Sequence, residues 1–242
     1  MLSWGTSCHL GDILWGLAYV MRCAGNHTYH VPNHVIPELQ PLAAGTNVTI
    51  GSIDNMPPNT EDVWIANGRH ENSGVQWTGQ IDIVGYIHTY FNAFGKAWED
   101  RSQMLFDFPW LKKHSDKQFI LFLNTSPMSG QCPGYSQEEM NRLALDLTLD
   151  HYHVVKVVDD NGGHSFSLTQ IAVLSSMASM IIGGASGPFF VTMNTAAADV
   201  PRIVLLDPMR LDYGPTVGPI HNVKYAGEAR EVLKSMGFFR YQ

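Results

Sequence analysis

From residue 119 onward the chain alternates between short apolar runs and helical patterns, and that alternation leaves few folds open. Phe119-Ile120-Leu121-Phe122-Leu123 has no polar residue at either parity, the mark of a strand covered on both faces. A helix is predicted over 137–149, with Ser136 in the N-cap position and Glu138 and Glu139 in its first turn. Residues 153–158 read as the next strand, 167–178 as a helix and 180–182 as a strand. A glycine-rich turn, Gly183-Gly184-Ala185-Ser186-Gly187-Pro188, then opens a helix predicted through Ala198. A strand over 202–206 and a helix over 228–236 complete the pattern. Repeated strand and helix imply a parallel sheet with helices on both faces.

The first half carries the same signal less regularly. A strand is expected over 2–4 and a helix over 12–24, where Ile13, Leu14, Leu17, Val20 and Met21 recur at the spacing of one buried face. Gly25 suits the left-handed position past its end. Strands are expected over 28–31, 47–50 and 63–66, turns at Pro57-Pro58 and Asn67-Gly68, and a helix over 81–94. The polar cluster 112–117 reads as a linker. The expectation is therefore an α/β protein of two parallel-sheet units of similar size, 1–112 and 113–242.

Composition narrows the function. With 242 residues, 45% hydrophobic and 15% charged, the chain can bury a sizeable core, and a disordered protein is excluded. A formal net charge of −7 argues against broad nonspecific nucleic-acid binding, though not against a local basic groove within that average. Three cysteines, Cys8, Cys23 and Cys132, give neither a disulfide framework nor a zinc pattern. No basic segment followed by an apolar run opens the chain, and no apolar stretch is long enough to span a membrane, so a cytoplasmic protein is expected. The 11 histidines include a loose group at His27, His30 and His34 and an alternating pair, His151 and His153, expected on a strand edge. None has the spacing of a helical zinc site, and most are expected at the surface or hydrogen-bonded in the core. No GxSxG elbow or Cys/His signature points to a hydrolase.

Ligands of open parallel sheets gather at the carboxyl ends of the strands. Four stretches are expected there: Gly11-Asp12, Asn124-Thr125-Ser126, Asp159-Asp160 and the 183–188 turn. In that turn glycines allow close backbone approach, and the following helix offers unpaired N–H groups. Ser186 either caps the helix or donates to a phosphate oxygen, and Pro188 fits the first helical position. The turn matches neither GxGxxG nor the Walker loop, so neither NAD nor a P-loop ATPase follows. Asn124-Thr125-Ser126 and the residues after it are either a diphosphate cradle or an ordinary polar loop. Asp12 is either a helix cap or a general base.

"LGDILWGLAYVMRCAG" resembles the N-terminal LGD motif and apolar helix of the ADP-heptose:lipopolysaccharide heptosyltransferases, and "MIIGGASGPFFVTMNTAAADVPRIVLLD" resembles their donor-site segment. "SLTQIAVLSSMASMIIGG" is similar to the helix before it, and the three occur in the family's order. The resemblance implies the GT-B architecture, two Rossmann-like parallel-sheet domains facing a cleft, with 1–112 on the acceptor side and 113–242 holding a nucleotide-sugar, and a metal-independent glycosyltransferase without a cofactor. Such an enzyme moves a sugar from a nucleotide-diphosphate donor to an acceptor hydroxyl on a glycan, a small molecule or a hydroxylated nucleobase. It implies Asp12 as the general base, and Asn124, Thr125, Ser126, Gly184, Ser186 and Gly187 as donor-binding residues. Pro188-Phe189-Phe190 stands where the family carries a small-residue-plus-His pattern. Two other readings share the fold: a nucleotide-sugar-binding module that does not transfer, and a nucleotide-sugar epimerase.

Overall fold

A computed structural model describes residues 2–5, 10–56, 63–64, 81–82, 105–126, 132, 134–159, 162–206, 211–212 and 219–239. The first half holds β1 (Leu2–Gly5), α1 (Leu10–Arg22), β2 (His27–Val31), α2 (Ile36–Leu42), β3 (Val48–Ser52) and β4 (Val63–Trp64). Its strands form one parallel sheet in the order β3-β2-β1-β4. β5 (Ile81–Asp82) follows. The second half holds β6 (Phe119–Leu123), α3 (Gln137–Leu149), β7 (Val154–Lys156), α4 (Leu168–Met177), β8 (Ala178–Gly184), α5 (Gly187–Phe190), β9 (Arg202–Leu205), β10 (Leu211–Asp212), β11 (Ile220–Val223) and α6 (Ala226–Ser235). Five of its strands form a second parallel sheet, β11-β9-β8-β6-β7.

The helices of the second half start where their caps dictate. The Ser136 side chain accepts the Glu139 N–H at the head of α3. Ser167 and Gln170 form a reciprocal capping box at the head of α4, satisfying two N–H groups that would otherwise lack partners. Gly25 takes φ +90°, as its position after α1 requires.

β6 shows why an unbroken apolar run is needed. Ile120 and Phe122 join Met140, Leu143 and Leu147 of α3 and Ala229 and Leu233 of α6 on one face. Phe119, Leu121 and Leu123 join a second core on the other face, which runs through α4 and α5 into Leu14, Leu17, Tyr29 and Leu39 of the first half. The two halves thus share one apolar core.

That sharing changes the expectation for α1. One buried face was predicted; every residue from Ile13 to Val20 is buried. β2 lies on one side, with the Tyr29 hydroxyl donating to the Ile13 carbonyl at 3.0 Å, and α5 packs against the helix as well. The absence of any charged residue between Asp12 and Arg22 fits a helix covered all round.

Other expectations are corrected. Ile81 and Asp82 are not helical: they form β5, paired in parallel with β10. Residues 83–94, the turns at 57–58 and 67–68, and Asp160 lie outside the described residues. The segment entering the linker is a packed strap. Phe106 and Phe108, then Phe108 and Trp110, stack at 5.0 and 5.2 Å. The Trp110 indole donates to the Leu42 carbonyl at 3.2 Å, and the Phe106 N–H donates to the Met193 carbonyl at 2.9 Å. The polar residues that follow are tied down too: Lys113 pairs with Asp199 at 3.2 Å, and Lys117 donates to the Ser176 carbonyl at 2.9 Å.

The helix predicted through Ala198 stops at Phe190, and a short 3-10 turn covers Thr195–Ala197. Buried side chains take over the backbone groups a helix would have paired. Asn194 accepts the Ala197 N–H and donates to the Val191 carbonyl. The guanidinium of Arg202, fully buried, donates to the carbonyls of Val200, Thr192 and Ala197 at 2.5–2.8 Å. Burial pushes its pKa down to about 9, with Asp199 pulling the other way; at neutral pH it stays charged.

Candidate active site at the sheet switch points

In each sheet the strand order reverses once. The second sheet runs from β6 to β7 on one side and from β6 to β8 on the other, so the carboxyl ends of β6 and β8 flank its switch point. Crevices at such points are where open α/β sheets bind ligands. The two strands approach closely there. A methyl group at Gly183 would fall 2.5 Å from Leu123 Cβ and 2.8 Å from the Leu123 carbonyl oxygen, so glycine is required. Past those ends, the hydroxyls of Thr125 and Ser186 lie 2.9 Å apart and bridge the switch point. Thr125 is buried, Ser186 half-buried and Ser126 exposed.

Ser186 occupies the N-cap position of α5, but its side chain makes no capping bond; the hydroxyl meets Thr125 instead. Its carbonyl accepts both the Phe189 and Phe190 N–H groups, and the Ala185 N–H is spent on the Leu205 carbonyl. Pro188 falls in the first turn of α5, one residue after its start at Gly187, and has no N–H. The Ser186 and Gly187 amides are thus left outside the helix's own bonding. α5 has only four residues, so the helix dipole expected from a longer element adds little, and the polar donors here are hydroxyls and single amides.

Asn124 stands apart from the other residues expected to bind the donor. Its side chain is 1% exposed. It accepts the Val158 N–H at 2.8 Å, and donates to the Val158 carbonyl at 2.9 Å and to Asn141 at 3.3 Å. It clasps the end of β6 to the chain leaving β7, and so orients the Thr125 that follows it. Gly184 is buried at the end of β8.

In the first sheet the order reverses at β1, between β2 and β4. α1 begins five residues after β1 and carries Asp12 in its first turn; the Asp12 side chain lies outside the described part of the structure. Its neighbours are placed. A methyl at Gly11 would meet Phe190 Cε2 at 2.7 Å, and one at Gly187 would meet Leu10 Cδ2 at 2.7 Å. The first turn of α1 and the Ser186 turn are therefore in contact through two glycine notches. The sequence places Gly11 at a strand end and gives the glycines of the 183–188 turn close backbone approach; it does not show that Gly11 and Gly187 serve as notches or that Phe190 fills one of them. Two small residues facing two large ones in distant motifs was the only available signal.

Asp159 accepts the Gly163 N–H at 2.8 Å within a tight turn after β7. Cys132 lies behind the Ser186 turn, donating to the Leu205 carbonyl at 2.9 Å. Burial pushes its thiol up to about 11, against a smaller lowering by the Ala185 backbone. His27 and His30 are buried and donate to the carbonyls of Ala24 and Ser52, as expected of core histidines. His151 is not on a strand edge: it sits in the turn after α3 at φ +67°, and His153 precedes β7. Among the described residues no group of three His, Cys, Asp or Glu side chains is placed to hold a metal, and no helix is long and apolar enough to cross a membrane.

Two parallel sheets, each with a helix following a strand at its switch point, give an α/β fold of the kind whose ligands gather outside the carboxyl ends of the strands. No protein-family model matches it, and no curated protein matches it in sequence. Solved structures do. A glycosyl transferase family 9 protein from Veillonella parvula DSM 2008 is 15% identical at a TM-score of 0.55, over 98% of this chain and 89% of that one. The iron-containing dodecameric glycosyltransferase TibC from enterotoxigenic E. coli H10407 is 12% identical at 0.51, over 92% of this chain and 64% of that one. A TibC complex with ADP-D-beta-D-heptose is 14% identical at 0.48, over 85% and 58%. The chain thus has an α/β fold similar to that of the family 9 protein and of TibC at a TM-score of 0.51, and it spans less than two thirds of TibC.

Proposed function

We propose that the chain is a metal-independent glycosyltransferase of the GT-B type. Residues 1–112 face the acceptor, and residues 113–242 hold a nucleotide-diphosphate sugar. Thr125, Ser126 and Ser186, with the Ser186 and Gly187 amides, bind the diphosphate. Gly184 lets the backbone come close, and Asn124 holds the Thr125 loop in place. The Asp12 carboxylate takes the proton of the acceptor hydroxyl. The acceptor oxygen then bonds to the anomeric carbon as the bond from that carbon to the diphosphate oxygen breaks. The nucleoside diphosphate leaves with the electron pair, and hydrogen-bond donors aimed at it stabilise the developing charge. One observation carries this reading. The hydroxyl pair Thr125–Ser186 spans the switch point at 2.9 Å, and the turn that bears Asp12 packs against the same segment.

A second reading, nucleotide-sugar binding without transfer, is favoured by the described residues at the switch point, none of which is Lys or Arg. One experiment separates the two. The purified chain is incubated with ADP-, GDP- and UDP-sugars, and nucleotide diphosphate release is followed with and without pooled hydroxylated acceptors. Transfer predicts release that falls about 10²–10⁴-fold in Asp12→Ala while binding persists. Binding without release supports the second reading, and full turnover in Asp12→Ala removes Asp12 from the mechanism.

A further inference from the structure

The contact between α1 and the Ser186 turn is tighter than two packed helices require. Phe190 is 6% exposed, and its ring edge fills the notch at Gly11, 2.7 Å from where a methyl would stand. The ring also meets Trp15, one turn further along α1, with centroids 4.9 Å apart. Leu10 fills the opposite notch at Gly187. Each turn thus supplies one side chain and one glycine to the other. The Phe190 N–H is bonded to the Ser186 carbonyl at 3.2 Å. On the far side of α1, the Tyr29 hydroxyl holds the Ile13 carbonyl. Interdigitated contacts of this kind resist continuous sliding, because the packed interior has no spare volume to take up a shift.

We propose that Phe190 is a positioning residue: it locks the first turn of α1 to the Ser186 turn as one rigid unit. Packing then fixes the distance from the backbone of Asp12 to the Thr125–Ser186 pair before any ligand binds. The coupling itself stands on geometry alone; its consequence for turnover rests on the proposed glycosyl transfer. Phe190 touches neither donor nor acceptor in this account and acts only through α1.

The test has a ligand-free arm and a turnover arm. In the first, amide hydrogen exchange is measured in the unaltered chain, Phe190→Leu and Gly11→Ala, with α3 and α6 as internal controls. Coupling predicts that each variant raises exchange in both 10–16 and 184–190 by a similar factor, about tenfold, with the controls unchanged. A rise confined to the segment that carries the substitution overturns the proposal, as does an equal rise in the controls for both variants. In the second arm, Phe190→Leu is expected to lower kcat about a hundredfold, the loss that a misplacement near 1 Å produces, with donor KM within twofold. On an Asp12→Ala background it is expected to cost nothing further. An additive loss on that background, or a loss seen only in KM, overturns the positioning role. Absence of turnover in the unaltered chain fails the proposed function instead, and the exchange arm still decides the coupling.

Discussion

The two faces of the five-stranded sheet are made by alternate residues of the same strands, yet different parts of the chain complete them. Ile120, Phe122, Ile182 and Leu205 are covered by α3 and α6, which belong to the second half. Leu121, Leu123, Ile181 and Val204 enter a core that includes Ile13, Leu17, Tyr29 and Leu39 of the first half. The first face is self-sufficient. The second is covered in part by α4 and α5 and is completed by residues of the first half, and the Ser186 turn stands on that side. The candidate site therefore depends on the first half for its support as well as for Asp12.

The largest expected effects test this contrast directly. Phe122→Ala on the self-sufficient face should destabilise the chain by about 4 kcal/mol, and Leu121→Ala on the shared face by about 3 kcal/mol, both read by denaturant unfolding. The sharper readout is where the loss appears. Leu121→Ala should loosen α1 in hydrogen exchange while Phe122→Ala spares it; the reverse pattern would break the comparison. Gly183→Ala should cost about 2 kcal/mol by overpacking at Leu123. It spreads β6 from β8, so it should loosen both faces alike. Asn124→Leu should cost about 2 kcal/mol, the penalty for leaving the Val158 N–H and carbonyl unpaired. It should also weaken nucleotide binding, since Thr125 loses its anchor.

The smallest effect is a pH dependence. The Cys132 thiol titrates near 11 in the folded chain against 9.0 for an unperturbed thiol. The folded state therefore keeps a proton that the unfolded state releases between those values. This contribution is complete below pH 9 and is lost as pH rises through about 11. It amounts to about 1 kcal/mol by pH 10. Cys132→Ala should flatten that part of the stability curve. A slope unchanged by the substitution would place the thiol in a more solvated setting.

Much of the second half was legible because its signals are local. The β6 run, the Ser136 cap and the acids Glu138 and Glu139 in the first turn of α3 each lie within a few residues of the element they define. The shared face was less legible, because its partners are distant. Nothing near α1 says that Phe190 covers it. The helix predicted through Ala198 reads well as sequence, and it fails because Asn194 and Arg202 take its backbone partners. The sequence leaves Ser186 open between a helix cap and a phosphate donor; the partner that takes its hydroxyl, Thr125, is 61 residues away. Asn124 was read as a ligand-binding amide, and its two bonds to Val158 are invisible until β6 and β7 are paired.

A crystal structure of the chain with ADP or UDP bound tests the central claim most directly. Diphosphate oxygens are expected within hydrogen-bond distance of Thr125 Oγ1 and Ser186 Oγ, at the carboxyl ends of β6 and β8. A nucleotide seated elsewhere on the chain, or none bound at saturating concentration, would contradict it.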